Sequence, residues 1–314
     1  MDIDVFFRDY GKAFERGDAA GVVEFLKDSI NAAEADNDNH ALVTILNEAA
    51  GYYRNTSDYA QAIALSEKAL TTLRRLGYEN TVPYGTTLLN TATAYRASGD
   101  NARGLELFIS SLAVLGALLP EDDHRFAGLY NNIGAIHEER GQLPEALDML
   151  EKAAAIMEKN PGMAEDSAIV LTNLALILLR LNRTGEAAKT FGKAEKLFCR
   201  TDARPAPQYA ATLAGMGEVC FRMGDFDKAI EKYESALARI KDSFGENRDY
   251  AITCQNCADV YEAAGKSEAA AALTLRAQNI LSGLDALERR HSPPRQETRS
   301  RSVSPVAEAF QRPR

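Results

Sequence analysis

Small residues return along this chain at a near-constant interval. Ala49, Ala92, Gly134, Ala175, Gly217 and Ala258 are separated by 43, 42, 41, 42 and 41 residues. Self-similarity at a fixed period of this length marks stacked supersecondary units, each of which buries its apolar face only against a neighbouring copy. Three residues after each small position stands a larger side chain: Tyr52, Tyr95, His137, Leu178, Cys220 and Tyr261. Seven residues after it, where the chain must reverse, come Gly99, Gly141, Asn182, Gly224 and Gly265. Gly and Asn enter the left-handed conformation most cheaply and so end helices. The first copy departs from this rule, with Thr56 and Ser57 at the turn and one extra residue before Asp58 and Tyr59.

A second helix follows each turn. Its small positions are Ala62, Gly104, Ala146, Ala187, Ala229 and Ala270, and seven residues later Ala69, Ser111, Ala153, Ala194, Ala236 and Ala277. Residues seven apart share a helix face, so this stripe lets a neighbouring helix approach closely. Phe108, Phe191 and Tyr233 supply bulk between the two sets. Gly inside a helix costs about 1 kcal/mol relative to Ala, so Gly104, Gly134 and Gly217 are expected where a larger residue would not fit. Pro83, Pro120, Pro161, Pro205 and Pro207 are expected in the connections between hairpins, where a missing amide proton harms no helix.

This order of small, large, turn, small, large, small resembles the tetratricopeptide repeat. The 42-residue spacing, the segments LNTATAYRASGD, YNNIGAIHEERGQ and TNLALILLRLN, and the connections PEDDHRFAGLYNN and FGENRDYAITCQN are similar to the kinesin-light-chain-type subclass. The resemblance covers about residues 41 to 282. It implies an all-α fold, a right-handed α-solenoid of stacked antiparallel helix hairpins. The expected organisation is a degenerate capping hairpin over 1–36, six repeats over 41–288 and a disordered Arg/Ser/Pro-rich tail over 289–314. Terminal repeats of a solenoid are atypical because one face has no neighbour. The tail is too poor in apolar residues to build a core. Within it Ser292 and Ser304, each followed by Pro, are candidate phosphorylation sites.

Charge narrows the choice of partner. The net charge is −9. Residues 289–314 carry +5 of this and residues 1–288 carry −14. So acidic a body disfavours nucleic acid or an anionic membrane as its main partner. The acidic start at Met1 to Asp4 reads as lacking a signal peptide, the longest apolar run is far too short to span a bilayer, and four Cys without framework spacing suit a reducing compartment. A cytoplasmic protein is expected. From Ala269 to Leu287 only Arg276 and Asp285 are charged, so the last hairpin is a candidate surface for self-association or for cover by the VAEAF segment of the tail.

Two residues before each small position stand Asn47, Asn90, Asn132, Asn173 and Asn256, with Gly215 breaking the series. An Asn amide both donates and accepts, so such a ladder suits the backbone of an extended peptide. Equally, it suits bonds between neighbouring helices that set the repeat spacing. In kinesin-light-chain-like repeats the matching asparagines line the concave peptide groove, and the resemblance carries that partner-binding role to these five positions. Cys254 and Cys257 form a CxxC inside a repeat helix, without the second ligand pair that zinc needs; they read as buried small residues. His40, His124, His137 and His291 show no metal-binding spacing, and no phosphate loop or nucleophile motif appears. The resulting expectation is a non-catalytic protein-interaction scaffold or adaptor, needing no cofactor or metal, that binds a protein or peptide. The alternatives are a peptide-sensing regulator and, behind it, an enzyme built on repeats.

Overall fold

The computed structural model describes residues 2–200 and 207–291, with side chains described as far as 284. Among the described residues there are fourteen helices and no strand. They are α1 (Ile3–Glu15), α2 (Ala19–Ala35), α3 (Asn39–Asn55), α4 (Tyr59–Arg75), α5 (Val82–Ala97), α6 (Asn101–Gly116) and α7 (His124–Glu139). These are followed by α8 (Leu143–Glu158), α9 (Ala164–Arg180), α10 (Thr184–Phe198), α11 (Pro207–Arg222), α12 (Phe226–Phe244), α13 (Arg248–Ala263) and α14 (Ser267–His291).

The hairpin turns are built by a two-residue device. A residue in the left-handed region ends one helix; in the hairpin turns of the first unit and after Gly224 the aspartate directly after it caps the next, whereas Gln142 and Arg183, after Gly141 and Asn182, make no side-chain cap bond. At Gly99 (φ 89°) the Asp100 amide donates back to the Tyr95 carbonyl, while the Asp100 carboxylate accepts from the Arg103 amide at 3.0 Å. The first bond is a Schellman-type closure of orphan carbonyls, the second an N-cap. Asp18, Asp38, Asp58 and Asp225 cap in the same way. In the first repeat the extra residue lies inside α3, and Ser57 takes the left-handed position with φ 63°. Two of the five inter-hairpin prolines are not in connections. Pro83 lies in the first turn of α5 and Pro207 begins α11, where Pro is favoured because that N–H has no helical partner in any case. Pro205 lies outside the described residues.

The chain forms two compact units, Met1–Asn132 and Ile133–Arg314, whose boundary falls within α7. In the first unit, Phe6, Val22, Leu26, Ile45, Leu46 and Tyr52 join α1, α2 and α3 into one core, extended by Ala69 of α4. Ser111 of α6 donates to the Gly85 carbonyl of α5 at 2.7 Å, a bond possible only because the small residue brings the helices together. In the second unit, Leu150, Ile177, Phe191, Tyr233 and Val260 anchor a core running from α8 to α14. A Cβ at Gly217 would stand 2.8 Å from the Tyr233 ring, so that glycine is dictated by its neighbour. The Tyr233 hydroxyl donates to the buried Glu218 carboxylate (3.2 Å), which also accepts from Arg222 at 2.7 Å. The small alanines of both helices are buried throughout.

The last helix packs Ala270, Ala277, Leu273, Ile280 and Leu281 inward and leaves Leu275 58% exposed. Its backbone continues to His291, three residues past the expected repeat boundary; Ser292, Ser304 and the VAEAF segment lie outside the described residues.

Candidate functional site

The asparagine series sits on the first helices of successive hairpins, and in the first unit Asn47 and Asn90 touch. Asn47 of α3 donates to the Val43 carbonyl one turn back and to Thr87 of α5, both at 3.0 Å. Asn90 of α5 donates to Asn47 Oδ1 at 3.1 Å. Asn132 of α7 donates to the Gly128 carbonyl at 2.8 Å and accepts from Arg96 Nε at 3.0 Å. Part of each amide's capacity is thus spent on holding consecutive first helices in register. In the second unit Asn173 is half-buried, whereas Asn256 is buried with its Nδ2 unbonded. Gly215 has a direct cause: a Cβ there would lie 2.2 Å from the Phe191 ring, so the aromatic fills the space an Asn would occupy.

Next to the Asn47–Asn90 rung the first unit carries an open pocket of about 270 Å³. Tyr10 and Phe14 of α1 form one wall, Asn47, Glu48, Tyr52 and Arg54 of α3 the floor, and Asn90 of α5 the other side. The aromatic wall is set by its own contacts. Tyr10 and Phe14 pack edge to face at 5.0 Å, and Phe14 meets Tyr52 in the same way at 5.8 Å. Tyr52 is fixed by donating to the Ala19 carbonyl at 3.3 Å.

Two charged groups open onto this pocket without a counter-ion among the described residues. Glu48 is half-buried and its carboxylate makes no hydrogen bond or ion pair with them; burial holds its carboxyl above the usual carboxylate range. The Tyr10 phenol is pushed up to about 12, first by burial and then by the charge of Glu48. The Arg54 guanidinium likewise has neither hydrogen bond nor ion pair among the described residues. Burial lowers its pKa, and repulsion from Arg96 lowers it further.

Tyr10, Phe14, Glu48 and Arg54 were not singled out by the repeat pattern, yet a signal exists in the register. Arg54, Arg180 and Arg222 each stand five residues after the small position. Arg180 pairs with Glu138 at 2.9 Å, and Arg222 with Glu218 at 2.7 Å and the Leu179 carbonyl at 2.8 Å. Glu48 directly precedes its small residue, where the other copies have Thr91, Ile133, Leu174, Met216 and Cys257.

The other candidates resolve into packing. Cys254 and Cys257 are both buried on α13, and burial pushes their thiols up to about 11 and about 12, far from the thiolate form that binds metal or reacts. His137 bonds its Nδ1 to Gln142 at 2.9 Å across a hairpin turn. No helix of the described residues is long and apolar enough to cross a membrane.

The family model for the tetratricopeptide repeat matches residues 125–200 and 208–282. No curated protein matches by sequence. Among solved structures, the chain is similar to BtubC (BKLC) from P. vanneervenii, with 23% identity, TM-score 0.59, and 78% of this chain and 98% of that one covered. It is also similar to a kinesin light chain protein of nearly identical repeats from Podosopora anserina (18%, 0.50, 63% and 95%). A third likeness is to the apo form of the quorum sensor NprR from B. thuringiensis (13%, 0.55, 90% and 89%). Identities this low establish the fold that is shared.

Proposed function

We propose that this chain, a tetratricopeptide-repeat protein, is a non-catalytic interaction scaffold that holds an extended or helical segment of a partner protein on the face built by its first helices. Repeats of this fold commonly mediate protein–protein interaction. The observation that carries the reading is the open polar pocket lined from α1, α3 and α5 beside the Asn47–Asn90 rung. Three successive hairpins contribute to it, as a segment lying across the repeats requires. Affinity would come from many modest contacts on a pre-ordered surface, with the partner bearing the ordering entropy. In this reading the asparagines serve twice: they fix helix spacing and offer their remaining donors and acceptors to a peptide backbone. The 1–36 hairpin is the cap, 41–288 the working repeats, and the cell interior the setting.

The test is quantitative capture of partners from source-cell lysate by wild type and by a variant with Asn90, Asn132 and Asn173 each changed to Ala, whose helicity circular dichroism verifies. Partners lost by the variant alone support the face. An identical partner list would make the asparagines purely structural and remove the reading. A peptide-sensing regulator uses the same face for a smaller ligand; the likeness to a structure named as a quorum sensor shares fold with that reading and goes no further.

A further inference from the structure

Consider what the repeat architecture needs at the first pocket and what it finds there. Every other repeat builds the position before its small residue without a charge, so Glu48 is not demanded by the stack. The arginines in register with Arg54 are consumed by Glu138 and Glu218, so an unpaired guanidinium is not demanded either. Yet both charges are half-buried, both open onto one pocket, and neither has a partner among the described residues. Desolvated ions without counter-charges are unfavourable in the free protein. They are retained to advantage where a ligand supplies the missing charges.

The pocket is also asymmetric. At one end Glu48 lies with the Tyr10 phenol close enough to feel its charge, and Phe14, half exposed, offers its ring. Aromatic faces beside a carboxylate attract cations, guanidinium above all. At the other end lies Arg54, with the Asn90 amide on the adjoining wall; a guanidinium beside an amide donor suits an anion. Six residues of α3 separate Glu48 and Arg54, an axial rise of roughly 9 Å with a turn of about 120° around the axis, so their charged ends stand roughly 10–14 Å apart. An extended peptide covers that distance in about three to four residues.

We infer that this pocket is a bipolar receptor for a partner segment carrying a basic and an acidic side chain about three to four residues apart: the base docks on Glu48 between the aromatic rings, and the acid docks on Arg54 beside Asn90. The inference rests on the scaffold reading and names the chemistry of its ligand. Order matters as well as composition, because the receptor's two ends differ.

The experiment uses the full chain and fluorescein-labelled Gly/Ser/Thr peptides bearing one Arg and one Glu at separations from one to five residues, titrated by anisotropy. Control peptides replace Arg by norleucine or Glu by Gln. The expected result is strongest binding near a separation of about three to four and a loss of about fivefold or more for either control. Glu48→Gln should reproduce the loss of the norleucine control and add nothing to it. Arg54→Gln should do the same for the Gln control. Thermal melts supply a second readout: each single variant should be at least as stable as wild type, since an unpaired desolvated ion has been removed. Peptides that bind irrespective of charge, or variants that bind normally, overturn the receptor and leave the scaffold reading intact. Variants that melt lower than wild type also overturn it, because the charges would then serve the fold. No binding by any peptide of the set overturns it too, while the lysate capture with the asparagine variant decides separately whether the face binds a partner.

Discussion

At the scale of single residues, two positions show the fold tolerating a local cost. Ser57 adopts φ 63° at the first repeat's turn, where most other turns use Gly. A non-Gly residue in the left-handed region loses on the order of 1 kcal/mol against Gly, partly recovered because Gly adds freedom to the unfolded chain. Ser57→Gly should therefore stabilise the protein, by up to about 1 kcal/mol, read as a higher midpoint in urea with an unchanged slope. Glu48 is the second case. Its carboxyl is held above the ordinary value by burial, with the Tyr10 phenol near enough to feel its charge and no cation pairing with it among the described residues. A folded-state pKa above the unfolded one means the protonated form is favoured by folding. The relative stability this confers is fully present below the unfolded value, about 4.3, and is lost as pH rises through the folded value. Compared with Glu48→Gln, wild type should melt lower at pH 7, and the gap should close as pH falls towards 4. A gap that widens on acidification would mean that Glu48 has a hidden partner.

At the scale of elements, helix positions were legible because they follow from periodicity and turn chemistry, which the chain repeats six times. The left-handed glycines, the capping aspartates and the three small positions per hairpin all fall where 3.6-residue geometry and close helix approach require them. What the pattern misplaced is equally physical. Pro83 and Pro207 suit a helix's first turn as well as a connection, so proline alone cannot place a boundary to within a turn. The missing asparagine at Gly215 was legible only as a gap; its reason, the Phe191 ring on the preceding hairpin, needs the packing. Gly215→Asn should force that ring aside and cost about 1–3 kcal/mol or more. The same substitution in a Phe191→Leu background should cost less, since the smaller side chain leaves room. Equal costs in both backgrounds, measured by chemical denaturation as a double-mutant cycle, would show that the two positions do not share the space.

At the scale of the whole molecule, the site was less legible than the fold because the two are specified differently. A repeat announces itself through what its copies share, whereas the pocket of the first unit consists of what one copy does not share: an acid before Ala49 and an arginine left unpaired among the described residues. The same nearest-neighbour logic governs stability. In stacked repeats each hairpin is supported by its neighbours, so damage should spread locally and fade along the chain. Tyr233 offers the sharpest probe. It is fully buried in the second unit, packs its ring on Gly217 and donates to the buried Glu218. Tyr233→Ala opens a cavity and takes a donor from a carboxylate that keeps Arg222, a combined loss of about 3–5 kcal/mol. In native-state hydrogen exchange, amides of α11, α12 and α13 should lose protection by that amount, and those of α1 to α4 should change little. If protection fell equally from α1 to α14, the chain would be unfolding as one cooperative body. The pocket beside Asn47 would then depend on the integrity of every repeat, and substitutions far along the chain would weaken partner binding as strongly as those that line it.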